Sequence, residues 1–242
     1  MLGSWIDQDK QEITIILTNF PCSYNQCTHC PFEIESIDDG EEIMITNKQI
    51  INESLEKVTE FNLENVKIFN GGSFFELPDD VFPILKSISE GRNVSIESRP
   101  EFLSKKSISL IFDKLQPLKL NIFIGFDSAD EVIRNKLLNK GIPKSELDRI
   151  SNDLKNIKNV QFFSYVLFGI KGISEESVKD SVLYFNKNLN GVSAIEFREN
   201  PKTELKHQNI SEQLKKFLIQ NCINVDFIGD DDEQWLLPEK RS

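Results

Sequence analysis

Along this chain, short runs of apolar and β-branched residues alternate with stretches whose apolar positions recur at helical spacing. Glu12-Ile13-Thr14-Ile15-Ile16-Leu17-Thr18 predicts a first buried strand. A polar loop follows, from Asn19 to about Asp39. Asn47 is then expected to cap a helix whose apolar stripe is Ile50, Ile51, Leu55 and Val58. Further strands are predicted at 66–70, 93–98, 118–125, 160–167 and 193–197. Helices are predicted from Asp79 or Asp80 through Val81, Leu85 and Ile88, then at about 107–115, 130–139, 144–156, 175–189 and 211–220. Gly71-Gly72-Ser73 closes the second strand and Arg99-Pro100 stops the third, while Gly141 stands where a helix C-terminal glycine belongs. A short strand candidate at 223–228 precedes the acidic run Asp230-Asp231-Asp232-Glu233.

Six strands, each followed by a helix, predict a parallel α/β sheet with right-handed crossovers. Such a sheet either opens into a doubly wound form or curls toward a barrel. In barrels the chemistry gathers at the C-terminal strand ends. The unusual residues of this chain fall there: the cysteine loop, Gly71-Gly72-Ser73, Glu97-Ser98-Arg99, Gly125-Phe126-Asp127-Ser128 and Glu199-Asn200.

Composition narrows the function classes. With 39% hydrophobic and 28% charged residues over 242 positions, the chain can bury a sizeable core without disulfides. The net charge of −11 argues against extended nucleic-acid contact, which rests on phosphate neutralisation. No apolar run reaches the roughly 18 residues of a membrane span, and the N-terminus does not read as a secretory signal. A cytoplasmic location, where thiols stay reduced, is therefore expected.

Three of the four cysteines lie together as Cys22-Ser23-Tyr24-Asn25-Gln26-Cys27-Thr28-His29-Cys30, a C-x4-C-x2-C pattern. Crowded thiols in a reducing compartment point to a metal site. Three thiolates on one loop can wrap three corners of a cubane cluster and leave one iron open. A zinc site would want a fourth ligand closing a tetrahedron, and His29, between two of the cysteines, is poorly placed to supply it. Ligand count and softness favour iron–sulfur over a zinc-stabilised β/α binding protein. Cys222 stands apart and reads as a buried small hydrophobe.

The cysteine loop at the end of the first strand of a six-fold β/α repeat resembles the radical S-adenosylmethionine (SAM) superfamily, whose hallmark is C-x3-C-x2-C. This chain has one more residue in the first spacer. The resemblance implies a partial (β/α)6 TIM-like barrel with a mostly parallel sheet, forming a single domain with a short C-terminal extension: a core domain over 1–222 and the extension over 223–242. It implies a [4Fe-4S] cluster on Cys22, Cys27 and Cys30. The open iron would bind SAM, and reductive cleavage would give a 5′-deoxyadenosyl radical that abstracts a substrate hydrogen. It places His29 near the adenine, and Gly71, Gly72 and Ser73 at the position that meets the methionine amino group, with Ser73 where the family has Glu. Glu97, Ser98 and Arg99 would meet the polar parts of SAM, and Asp127 and Ser128 its ribose.

Phe69-Asn70-Gly71-Gly72-Ser73-Phe74-Phe75, Glu97-Ser98-Arg99-Pro100-Glu101-Phe102 and Asn139-Lys140-Gly141 look like the Elongator-catalytic-subunit-like and archaeosine-forming branch. The acidic charge disfavours copying a tRNA partner from that branch, so a small-molecule or biosynthetic substrate is expected, with tRNA as the alternative. An electron donor such as flavodoxin or ferredoxin is implied. Phe197, Arg198, Glu199 and Asn200, together with a tail carrying Trp235, Leu236 and Leu237, are expected to cover the barrel mouth.

Overall fold

Alternating apolar positions build the sheet row by row. In the computed structural model, which describes residues 2–154 and 156–229, eight strands lie in sequence order in one sheet. They are β1 (Gly3–Asp7), β2 (Glu12–Ile16), β3 (Asn65–Phe69), β4 (Asn93–Ser98), β5 (Lys119–Asp127), β6 (Val160–Phe168), β7 (Val192–Glu196) and β8 (Asn224–Asp226). β1 pairs antiparallel with β2, and every later pairing is parallel. The register aligns Ile13, Val66, Val94, Leu120 and Val160 in one row and Ile15, Ile68, Ile96, Ile122 and Phe162 in the next. Both rows are buried and share one core with helix residues such as Ile51, Val58, Leu85, Ile108, Val182 and Phe185. The intervening positions are polar at the strand starts, with Thr14, Lys67, Ser95, Asn121 and Gln161 aligned. This alternation separates a helix-covered face from the face that holds the site.

The helices are α1 (Gly40–Glu60), α2 (Phe82–Ser89), α3 (Lys105–Leu115), α4 (Lys144–Arg149), α5 (Glu175–Asn188) and α6 (Glu212–Asn221). Among the described residues, none is long and apolar enough to cross a membrane. The partial-barrel expectation holds: β2 to β7 are the six predicted parallel strands, extended by the hairpin strand β1 and the edge strand β8. β1 escaped the sequence reading because Gly3-Ser4-Trp5-Ile6-Asp7 carries no clean alternation and is half-buried throughout. The acidic run from Asp230 and the residues Trp235, Leu236 and Leu237 lie outside the described residues.

Asn47 does not cap a helix. α1 begins seven residues earlier, capped by the Asp39 carboxylate, which accepts from the Glu41 and Glu42 amides. Asn47 is fully buried inside the helix. Its Oδ1 accepts from the Thr18 amide and its Nδ2 donates to the Thr18 carbonyl, both at 2.9 Å. A buried backbone that has left the sheet needs such partners. Asn47 thus fixes the point where β2 turns into the cysteine loop.

The two helical stretches between β5 and β6 depart from α geometry. Ile133–Leu137 is a wide π turn, and α4 runs on into another at Ile150–Leu154. In the first, the fully buried Arg134 side chain donates to the carbonyls of Ser128, Ala129 and Ile142.

Candidate active site

Loops at the C-terminal strand ends enclose a cavity of about 270 Å³. Cys22, Cys27, Cys30, His29, Gly71, Gly72, Glu97, Ser98, Arg99 and Asp127, each singled out from the sequence, line it together. Two others lie outside the lining. The buried Ser73 hydroxyl lies 3.0 Å from that of Ser98, while its amide donates to the Glu76 carboxylate. The Ser128 hydroxyl accepts from the Asp130 amide and lies by Ser181, on the helix side of β5.

The cysteine end comes first. Cys22, Cys27 and Cys30 are all free and half-buried. Burial raises the Cys27 thiol pKa and pushes that of Cys30 up to about 11. Lys140 and Arg99 act against that burial at Cys27, favouring the thiolate. Arg99 Nη1 lies 4.0 Å from the Cys27 sulfur. Gly72 lets the β3 turn approach: a Cβ there would sit 3.6 Å from Cys22 Cβ and 3.3 Å from Glu76 Oε2. Glu76 ties the two loops, accepting from the Ser23 amide at 2.9 Å and the Ser73 amide at 3.0 Å.

This donor set fits an iron–sulfur cluster: three thiols on one loop, with two cations beside one of them. A closed zinc site would want a fourth ligand completing a tetrahedron. His29 is engaged elsewhere, with Nε2 3.2 Å from Asp127 Oδ2.

Asp127 ends β5 at φ +62°, in the left-handed region, beside a register shift in the strand. Asp tolerates this conformation better than most residues, and such strain marks positions held by their surroundings. Burial would raise its carboxyl pKa, but Lys140 Nζ at 2.7 Å and the His29 hydrogen bond reverse this and hold it below the usual carboxylate range. For Lys140 the same pairing outweighs burial and raises the ammonium. Burial lowers the His29 pKa, with the Asp127 hydrogen bond opposing.

On the cavity floor, the Tyr165 hydroxyl donates to Glu97 Oε1 at 2.7 Å. Burial raises the Glu97 carboxyl to about 7, the Tyr165 hydrogen bond opposing, so Glu97 holds or releases a proton near neutrality. Phe123 stacks on Phe163 and Tyr165, with centroids 5.0 and 5.5 Å away, which steadies this pair.

The far wall is built by β7 and β8. Arg198 makes a bidentate pair with Asp226, both bonds 2.9 Å, and also donates to the Phe227 carbonyl. Glu196 Oε1 lies 2.8 Å from His207 Nε2, and its Oε2 accepts from the Ile228 amide. Asn200 reaches across the mouth to the His29 carbonyl.

No family model matches the chain. An uncharacterized protein of Methanocaldococcus jannaschii, MJ0550, is 31% identical over 202 residues, 77% of this chain and 55% of that protein, so the chain spans about half of that relative's length. Among solved structures, the queuine lyase from Clostridium spiroforme bound to SAM and queuine superposes with a TM-score of 0.72 at 22% identity, covering 95% of this chain and 96% of that one. The two share a fold.

The sequence reading passed over several cavity residues. Lys140 stood in a quoted phrase, but its ammonium was not assigned a role. Tyr165 was a polar tip inside an apolar strand, a signal that could have found it. Glu196 and Asp226 had no motif around them, and neither did Glu76, which lies outside the lining and ties the two loops, because their partners come from other segments.

Proposed function

We propose that this chain is a radical SAM enzyme acting on a small heterocyclic substrate of the nucleobase class. The observation that carries the reading is the meeting, around one cavity, of the three free cysteines with Glu97, Arg99, Asp127 and Lys140. The fold shared with an SAM-binding lyase supports it. Cys22, Cys27 and Cys30 would hold a [4Fe-4S] cluster. Held there and reduced, such a cluster would supply the electron for reductive cleavage of SAM to methionine and a 5′-deoxyadenosyl radical.

The chain's own residues then have separable tasks. Lys140 and Arg99 offset thiolate charge beside Cys27. Glu97 and Arg99 would meet the polar parts of SAM, Arg99 from a guanidinium already paired with Glu101 and Glu97 from a carboxyl group bonded to Tyr165. Asp127, fixed by Lys140 and His29, offers an immobile carboxylate to hydroxyl groups. The far wall of Glu196, Arg198 and Asp226 faces the remaining space and receives the substrate. That the structural neighbour binds queuine favours a deazapurine-like base, whose polar edge matches a wall of carboxylate and guanidinium. Leu167, Phe197 and Phe32 supply apolar lining that keeps water from a reactive centre.

Iron and sulfide analysis after anaerobic reconstitution tests this reading. Four irons and four sulfides per chain, lost on Cys27→Ala and kept on Cys222→Ala, support it. Stoichiometric zinc without a brown chromophore contradicts it.

A further inference from the structure

The spacer between Cys22 and Cys27 is Ser23-Tyr24-Asn25-Gln26, one residue longer than the hallmark it resembles. The structure gives the added length a use. Asn25 takes a left-handed conformation, φ +40°, which turns the loop back on itself. Tyr24 then reaches the turn after the π helix, where its hydroxyl donates to the Asn139 carbonyl at 2.7 Å. The Arg99 guanidinium lies over its ring, 4.0 Å from the centroid, and Arg99 Nη2 donates to the Lys140 carbonyl at 2.9 Å. Gly141 leaves room for the ring: a Cβ there would stand 2.5 Å from the hydroxyl oxygen and 2.8 Å from two ring carbons. Its φ of +63° also favours glycine.

Neighbouring bonds run between the same two segments. Asn139 Nδ2 donates to the Gln26 carbonyl at 2.8 Å, and the Thr28 hydroxyl to the Leu137 carbonyl at 2.7 Å. The Thr28 amide donates to the Leu138 carbonyl at 3.1 Å. The receiving turn is itself held. Asn135 binds both the amide and the carbonyl of Ile142, and buried Arg134 joins Ile142 to Ser128, next to Asp127. No cysteine side chain takes part in the bonds between these two segments.

We propose that Tyr24, clamped between Arg99 and the Asn139-Lys140-Gly141 turn, is a positioning residue that orders the cysteine loop before any cluster binds. The proposal uses the cluster reading only for its consequence, since its test is made on the metal-free chain. Metal-binding loops that depend on their ion are loose without it, because binding and ordering are then one event. Here the ordering is supplied by the fold.

Hydrogen–deuterium exchange on the metal-free full chain tests this. In the wild type, peptides spanning 22–30 should exchange at least about tenfold slower than an unprotected loop, with the Thr28 amide among the slow sites. Tyr24→Ala and Gly141→Ala should each speed exchange there roughly tenfold, the stack and the hydroxyl bond being lost together, and leave peptides of β6 unchanged. Tyr24→Phe, which keeps the ring and loses one bond, should fall between. An unprotected loop in the wild type overturns the proposal, as does unchanged exchange in Tyr24→Ala. If Tyr24→Ala loosens the whole chain, Tyr24→Phe decides: wild-type exchange over 22–30 counts against the clamp, and local acceleration supports it. None of these outcomes depends on whether the loop later takes a cluster or zinc.

Discussion

The Asn200 side chain donates a hydrogen bond to the backbone carbonyl of His29, 3.0 Å away and 171 positions earlier in the chain. It joins the segment leaving β7 to the cysteine loop leaving β2, across the opening of the curled sheet. Beside it, Lys202 pairs with Glu33. The segment continues as a strap: Gln208 donates to the Gly169 carbonyl and His207 bridges to Ile170. Of the segment expected at the mouth, Phe197, Arg198 and Asn200 line the cavity and Glu199 pairs with Lys206, while the tail expected to share the cover lies outside the described residues.

Asn200→Ala removes that link. About 1 kcal/mol of closure should be lost, the ordinary contribution of one hydrogen bond. Coupling should fall roughly three- to tenfold, read as 5′-deoxyadenosine released per substrate turned over. An unchanged ratio would mean that the mouth is held shut by other contacts.

Asn47→Ala should destabilise the protein, although Asn47 itself lies outside the cavity lining. It leaves the buried amide and carbonyl of Thr18 without partners. The cost should be roughly 2–4 kcal/mol. Urea titration measures it. A loss under about 0.5 kcal/mol would show that water replaces the amide.

Glu97 should leave a mark on the pH dependence of stability. Burial raises its carboxyl from the ordinary 4.5 to about 7. The folded chain therefore binds this proton more tightly than the unfolded chain. Its contribution is favourable below about 4.5 and is lost as pH rises toward 7, so stability falls across that window. Glu97→Gln, which cannot ionise, should flatten this part of the curve. The check compares urea midpoints of the two proteins at pH 5 and pH 8, and parallel curves would remove Glu97 as the titrating group.

Arg198→Ala breaks the bidentate pair that anchors β8 to the far wall and leaves the half-buried Asp226 carboxylate uncompensated. A loss of about 1–3 kcal/mol should follow, seen as a Tm lower by roughly 3–10 °C. Arg198→Lys should not restore it, since a lysine cannot make the fork. Equal Tm for wild type and Arg198→Ala would contradict the anchor.

Local pattern carried the repeating parts of the fold to the surface of the sequence. A β-branched run such as Glu12–Ile16 declares a buried strand by composition, and Asn93–Ser98 does so by alternation, with Val94 and Ile96 on the buried side. Glycine turns declare where those strands end, and the strand ends then name the site. Position 47 shows the limit. An Asn can cap a helix or bind a backbone from inside one, and only the approach of Thr18 decides which. Position 73 shows another: its hydroxyl lies 3.0 Å from that of Ser98, a pairing between two strand ends that no local pattern encodes. The Asp127–Lys140 pair and the far wall depend on β5, β7 and β8 being brought together, and no local pattern encodes that meeting.

The central claim is the chemistry of the cysteine end, and product analysis tests it most directly. Anaerobically reconstituted protein, given dithionite and SAM, should form 5′-deoxyadenosine and methionine. Cys22→Ala, Cys27→Ala and Cys30→Ala should form none, while Cys222→Ala should match the wild type. A wild-type protein that carries a full cluster, binds SAM and still yields no 5′-deoxyadenosine above the cysteine variants would contradict the account.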